Sequence, residues 1–173
     1  MAVGAGAGRD ILWAPWRMAY VSAENEGEYE NGTGCVFCDL PALGDDARAL
    51  ILHRGEHCYV VMNAYPYASG HLMVIPFQHL DRITDLPHAA LVEMMDLART
   101  AQMALEDAMH PHGFNLGMNQ GAAAGAGIAD HLHLHVVPRW SGDTNFMTAI
   151  GELRVMPQSL DETYAALKPG FRA

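Results

Sequence analysis

The chain has 173 residues, half of them hydrophobic, and a formal net charge of −10. That length supports one domain with a core of its own. The acidic balance argues against nucleic acid as a partner, so an anionic ligand would have to be held by a local cluster of donors.

Residues 1–12 are rich in Gly and Ala and read as a disordered tail, without the apolar stretch of a signal peptide. A single domain is expected over 13–173, with a cysteine knuckle at 35–38. No run is apolar enough to span a membrane, so the chain reads as cytoplasmic. WAPWRMAY, 13–20, should dock on the body of the protein, and the acidic, Gly-rich stretch 22–34 reads as a loop. Cys35 and Cys38 form C-x-x-C, while Cys58 stands alone in a strand and reads as plain core. Three cysteines in such a chain do not suggest a disulfide framework.

Residues 49–53 and 57–62 read as strands joined at Arg54-Gly55-Glu56. NAYPYASG is a turn punctuated by Pro66 and Gly70, and HLMVIP, 71–76, is a buried strand. A long helix is predicted from Pro87 to Met109, capped by Asp85, with Leu91, Met94, Met95, Ala98, Ala101 and Leu105 on its core face. A strand at 114–119 leads into a small-residue loop, 120–127. Residues 130–138 alternate apolar and polar and predict another strand. RWSGDTNF reads as a loop, and a short helix is expected near 159–167. Hairpin-like strands with one long helix define an antiparallel α+β domain. His53, His57, His88, His110 and His112 read as surface or capping residues.

In a strand, residues two apart share a face. His131, His133 and His135 therefore share one face and Leu132, Leu134 and Val136 the other. Three imidazoles in a row are costly to bury and serve no folding need. An imidazole with one unprotonated nitrogen attacks phosphorus well, and its other nitrogen needs a fixed acceptor to set the tautomer. Neighbouring histidines can donate to phosphate oxygens as charge develops. Gly121, Gly125 and Gly127 let backbone N–H groups of the preceding loop approach a phosphate.

HLHLHVV resembles the signature of the histidine-triad (HIT) superfamily. NAYPYASGHLMVIPFQHL, WAPWRMAY and the stretch from GFNLGMNQG to SGDTNFM resemble its bacterial branch related to diadenosine tetraphosphate phosphorylases and hydrolases. The resemblance covers roughly residues 11–160. It implies a HIT-like fold, an antiparallel sheet of about five strands with one long and one short C-terminal helix. It implies that His133 is the nucleophile, forming a nucleotidyl-phosphohistidine, that His135 contacts the α-phosphate, and that His71 lines the same pocket. By the same likeness Asn63 holds the ribose and Gln120 opens the phosphate loop. Many relatives carry a polar side chain late in this loop, where this chain has Gly127 and Ile128. Leaving-group assistance then falls to backbone N–H groups, His135 or a cation such as Mg2+ accompanying the polyphosphate.

C-x-x-C needs two more ligands to close a tetrahedral zinc site. Resemblance to relatives that carry the motif implies His79 and His131, with structural zinc pinning the knuckle to the catalytic strand; two reduced, buried cysteines are the plain alternative. The expected activity is cleavage of dinucleoside polyphosphates with phosphate or water as acceptor, by a homodimer as in many relatives. A nucleoside phosphoramidase, a transferase to a sugar phosphate, a nucleotide-binding regulator and a zinc-stabilised interaction module are the alternatives.

Overall fold

A computed structural model describes residues 32–143 and 158–171. The expectations for the tail at 1–12, for WAPWRMAY, for most of the loop at 22–34 and for the last three residues of RWSGDTNF fall outside the described residues. Five strands, β1 (Ile51–Arg54), β2 (Cys58–Met62), β3 (Leu72–Pro76), β4 (Gly113–Gly117) and β5 (Leu134–Arg139), form one antiparallel sheet in the order β1-β2-β3-β5-β4. Among the described residues three α-helices accompany it: α1 (Val36–Ala42), the long α2 (His88–Met109) and the short C-terminal α3 (Leu160–Leu167). This is the α+β architecture expected.

Both faces of the sheet are covered where the functional residues lie. Along β2, Cys58, Val60 and Met62 point into a cluster with Met94, Ala98, Ala101 and Leu105 of α2, joined by Leu167 and Phe171. The alternate residues Tyr59 and Val61 join Met73, Ile75 and Phe37 on the opposite face. Period-two alternation thus places one apolar set on each side, and all five residues of β2 and of β3 are buried. The Tyr59 hydroxyl donates to the Phe37 carbonyl at 2.7 Å, tying α1 to the sheet.

Three local expectations are corrected and one is extended. The knuckle expected at 35–38 continues into a helix, Val36–Ala42, that inserts Phe37 into the second cluster. Asp85 does not cap α2: it closes a short 3-10 turn, and Pro87 is the residue at the helix start. Of the predicted core face, Met95 is half exposed and Leu91 only partly buried, while Ala90, Leu97 and Ala104 are buried. The helix is rotated slightly from the predicted face so that its smaller residues meet the sheet. Finally, the strand predicted over 130–138 is paired only from Leu134. Upstream, the Leu132 N–H turns to the Leu80 carbonyl at 2.6 Å instead of continuing the ladder with β3. Alternation nevertheless persists: Leu132, Leu134 and Val136 all enter the α2-side cluster.

Candidate active site and metal centre

The alternation brings the histidines to the face opposite α2. His133 is buried, and its Nδ1 donates to the His131 carbonyl at 2.8 Å. A carbonyl only accepts, so the neutral ring carries its proton on Nδ1 and keeps a lone pair on Nε2. Burial holds His133 below the ordinary imidazole range, although the bond to the His131 carbonyl acts in the other direction. His135 stands edge-on to His133, with ring centroids 4.8 Å apart. His71 lies behind it, its Nε2 2.9 Å from His135 Nδ1.

These rings border a cleft lined by Phe37, Asn63, Tyr65, Tyr67, Met73, Asn119, Gly127, Ile128, His133 and His135. The structure therefore brings together His133, His135, Asn63 and Gly127, with His71 directly behind. It places Gln120 differently: the side chain is exposed and accepts from Ile83 N at 3.0 Å, steadying the loop. Gly125 also differs, because its N–H is used by the Ala122 carbonyl at 3.0 Å as the loop closes into a 3-10 turn.

Sequence reasoning missed the apolar and aromatic half of the cleft. Phe37 sits inside C-x-x-C, where only the cysteines drew notice. Tyr65 and Tyr67 lie in a stretch read merely as a turn. Asn119 stands one position before Gln120, and no spacing rule separates the two.

Cys35, Cys38, His79 and His131 form a second cluster whose candidate ligand atoms all lie within 4.8 Å of one another. His131 Nδ1 is 3.2 Å from Cys35 Sγ and 3.6 Å from Cys38 Sγ, and His79 Nδ1 is 3.4 Å from Cys38 Sγ. The donor chemistry fits a metal. His131 Nε2 must donate to the Pro76 carbonyl at 2.9 Å, which leaves Nδ1 unprotonated and aimed at the sulfurs. Two thiolates and two imidazoles suit a tetrahedral divalent ion, which these residues could hold. Burial and the neighbouring Cys35 push the Cys38 thiol up, so a cation is what would favour thiolate here. Cys58 is separate: burial, with the Glu93 carboxylate adding, pushes it up to about 12, as befits an inert core thiol.

The HIT domain family model matches residues 45–142, more than half of the chain, which therefore belongs to that family. The chain is 41% identical over 155 residues to an AP-4-A phosphorylase of Mycobacterium tuberculosis, covering 88% of this chain and 79% of that one. A Zn-bound histidine triad family protein from Mycobacterium smegmatis superposes with a TM-score of 0.65 at 29% identity, over 79% of this chain and 92% of that one. An adenylylsulfatase of Arabidopsis thaliana is 29% identical over 124 residues, 70% of this chain and 61% of that one.

Proposed function

We propose that this protein is a histidine-triad enzyme that cleaves dinucleoside polyphosphates through a nucleotidyl group carried on His133, with inorganic phosphate as the favoured acceptor. The observation that carries this reading is the His133 Nδ1–H bond to the His131 carbonyl, which leaves an Nε2 lone pair in a cleft bordered by His135. In the first step that lone pair attacks the α-phosphorus. The N–P bond forms, the bridging P–O bond breaks, and its electron pair leaves with the rest of the polyphosphate. The doubly substituted imidazole is then positive, with its Nδ1–H still held by the His131 carbonyl. In the second step an oxygen of inorganic phosphate attacks the same phosphorus, and the N–P electron pair returns to Nε2. From an adenosine substrate the product is ADP; water in place of phosphate gives AMP. Positioning and charge stabilisation dominate such transfers.

Asn63 is assigned to the ribose, with Phe37, Met73 and Ile128 offering apolar surface to the base. Mg2+ would accompany the polyphosphate as its counterion. Likeness to the M. tuberculosis phosphorylase supports both the substrate class and phosphate as acceptor. Zinc is assigned to Cys35, Cys38, His79 and His131, where it would fasten α1 and its Phe37 to the segment entering β5. A homodimer is supported by β4, which ends the sheet, and by the exposed Leu116, Val92, Met95 and Met103. Likeness to the adenylylsulfatase favours a second reading, in which the leaving group on the α-phosphorus is not a polyphosphate.

The test is to run diadenosine tetraphosphate in oxygen-18 water with saturating phosphate and to resolve the products by chromatography. ADP free of solvent label is expected to dominate. AMP bearing the label, at a rate indifferent to phosphate, would make the enzyme a hydrolase.

A further inference from the structure

Phe37 stands between Cys35 and Cys38 in the chain and between the two clusters of the site in space. Its ring is edge-on to His131, with centroids 5.6 Å apart, and tilted against His133 at 5.0 Å. It is 3% exposed, yet it lines the cleft that holds His133 and His135. The helix that carries it, α1, is 7 residues long, contains Pro41 and has no side-chain cap at Cys35. A helix so short is not stable alone, so its position depends on what fastens it. Besides the packing of Phe37, the Tyr59 hydroxyl donates to the Phe37 carbonyl and Arg54 donates to the Pro41 carbonyl at 2.9 Å. Asp39 accepts from the N–H and the hydroxyl of Thr33, both at 2.9 Å. The remaining anchor is the pair of sulfurs, which face His79 and His131 at 3.2 to 3.6 Å. Thiols hold imidazoles weakly, whereas thiolates sharing a metal with them hold firmly. His131 joins the two clusters a second time: its Nδ1 faces the sulfurs, and its own carbonyl accepts the His133 proton.

We propose that Phe37 is a positioning residue that couples the two sites: a divalent metal on Cys35, Cys38, His79 and His131 and a nucleotide in the His133 cleft each tighten the binding of the other. The inference rests on the nucleotide site proposed above. Val36 and Phe37 are the only residues between the two cysteines. When both sulfurs are committed to one ion, so short a span cannot swing, and the Phe37 ring stays against His133. When they are not, α1 exchanges between docked and undocked positions. A nucleotide whose base lies on Phe37, Met73 and Ile128 meets a complete apolar surface only in the docked position. It therefore favours the arrangement in which the four ligand atoms converge, and the metal favours the arrangement that binds nucleotide. Two ligands that prefer the same one of two states are linked, and the factor is equal in both directions.

The experiment uses the full chain, with zinc as the metal and AMP as the nucleotide. Zinc affinity is measured by competition with a chromophoric chelator, with and without saturating AMP. AMP affinity is measured by equilibrium dialysis of zinc-loaded and metal-free protein. AMP should tighten zinc about 10-fold, and zinc should tighten AMP by the same factor. In Phe37→Ala all four ligands remain, and the factor should fall below about 2-fold. In Ile128→Ala, which alters another residue lining the cleft, AMP should weaken in loaded and metal-free protein alike, and the factor should stay near about 10-fold. Zinc affinity indifferent to AMP, in protein that binds AMP, overturns the coupling and leaves the proposed function standing. A factor that collapses in Ile128→Ala as it does in Phe37→Ala means general loosening and overturns the role of Phe37. Failure of AMP to bind the zinc-loaded protein overturns the nucleotide site and the coupling with it. Should the metal-free protein or Phe37→Ala fail to fold, the rate at which the chelator strips zinc from the loaded, unmodified protein decides. AMP should slow that rate about 10-fold, and an unchanged rate overturns the coupling.

Discussion

The His131 carbonyl, 2.8 Å from His133 Nδ1, determines which imidazole nitrogen can attack. In the proposed reaction His133 is the only group on the covalent path. His133→Ala is therefore expected to lose at least about 10³-fold in turnover while AMP binding, followed by equilibrium dialysis, changes only a few-fold. Near-normal turnover by the pure variant would remove the assignment. Burial also lowers His133 from the usual imidazole value. The unfolded chain binds this proton near about pH 6.5, whereas the folded chain binds it only at lower pH. Its effect on stability is thus absent well above that value and grows unfavourable as pH falls through it. The urea midpoint should drop between about pH 7.5 and about pH 5.5, and a midpoint that rises would contradict this origin.

At the scale of elements, the site depends on contacts far from it in sequence. The Glu93 carboxylate on α2 accepts from the backbone N–H groups of Glu56, His57 and Cys58, at 2.7, 2.6 and 2.8 Å. These fasten the β1–β2 turn, and Glu93→Ala should cost about 2 kcal/mol in urea unfolding, because three donors lose a charged acceptor. A cost under about 0.5 kcal/mol would mean that water replaces it. Gly70 has φ +76°, and a Cβ there would stand 2.8 Å from both Leu105 Cδ2 and Met109 Sδ. Gly70→Ala should destabilise by about 2 kcal/mol and displace His71, the next residue. The cluster of Cys35, Cys38, His79 and His131, which could hold a metal, joins α1 to the segment entering β5. One zinc per chain is expected by metal analysis of protein purified without a metal-affinity column. Cys35→Ser should lower Tm more than it lowers kcat, and a zinc-free protein of full stability would reject the site.

Across the whole molecule, what was legible in the sequence was what periodicity carries. Alternation in HLHLHVV separated histidines from core residues correctly even where the ladder stops, because the face of a side chain depends on extended backbone and not on pairing. The cluster of Cys35, Cys38, His79 and His131 spans nearly a hundred positions and came from resemblance, since no local pattern joins His79 to α1. Phe37 and the tyrosines of the turn stayed hidden because their role arises from tertiary approach: the Phe37 ring centroid lies 5.0 Å from that of His133, and the Phe37 carbonyl accepts from the Tyr59 hydroxyl. Proton positions were equally out of reach, as they follow from which backbone group each ring nitrogen meets. The proposed reaction is a two-step displacement through His133. The stereochemical course at the α-phosphorus, followed with an isotopically chiral dinucleoside substrate and phosphate as acceptor, tests it most directly. Two in-line displacements predict net retention; inversion would mean that the acceptor attacks the substrate directly and would contradict the covalent histidine.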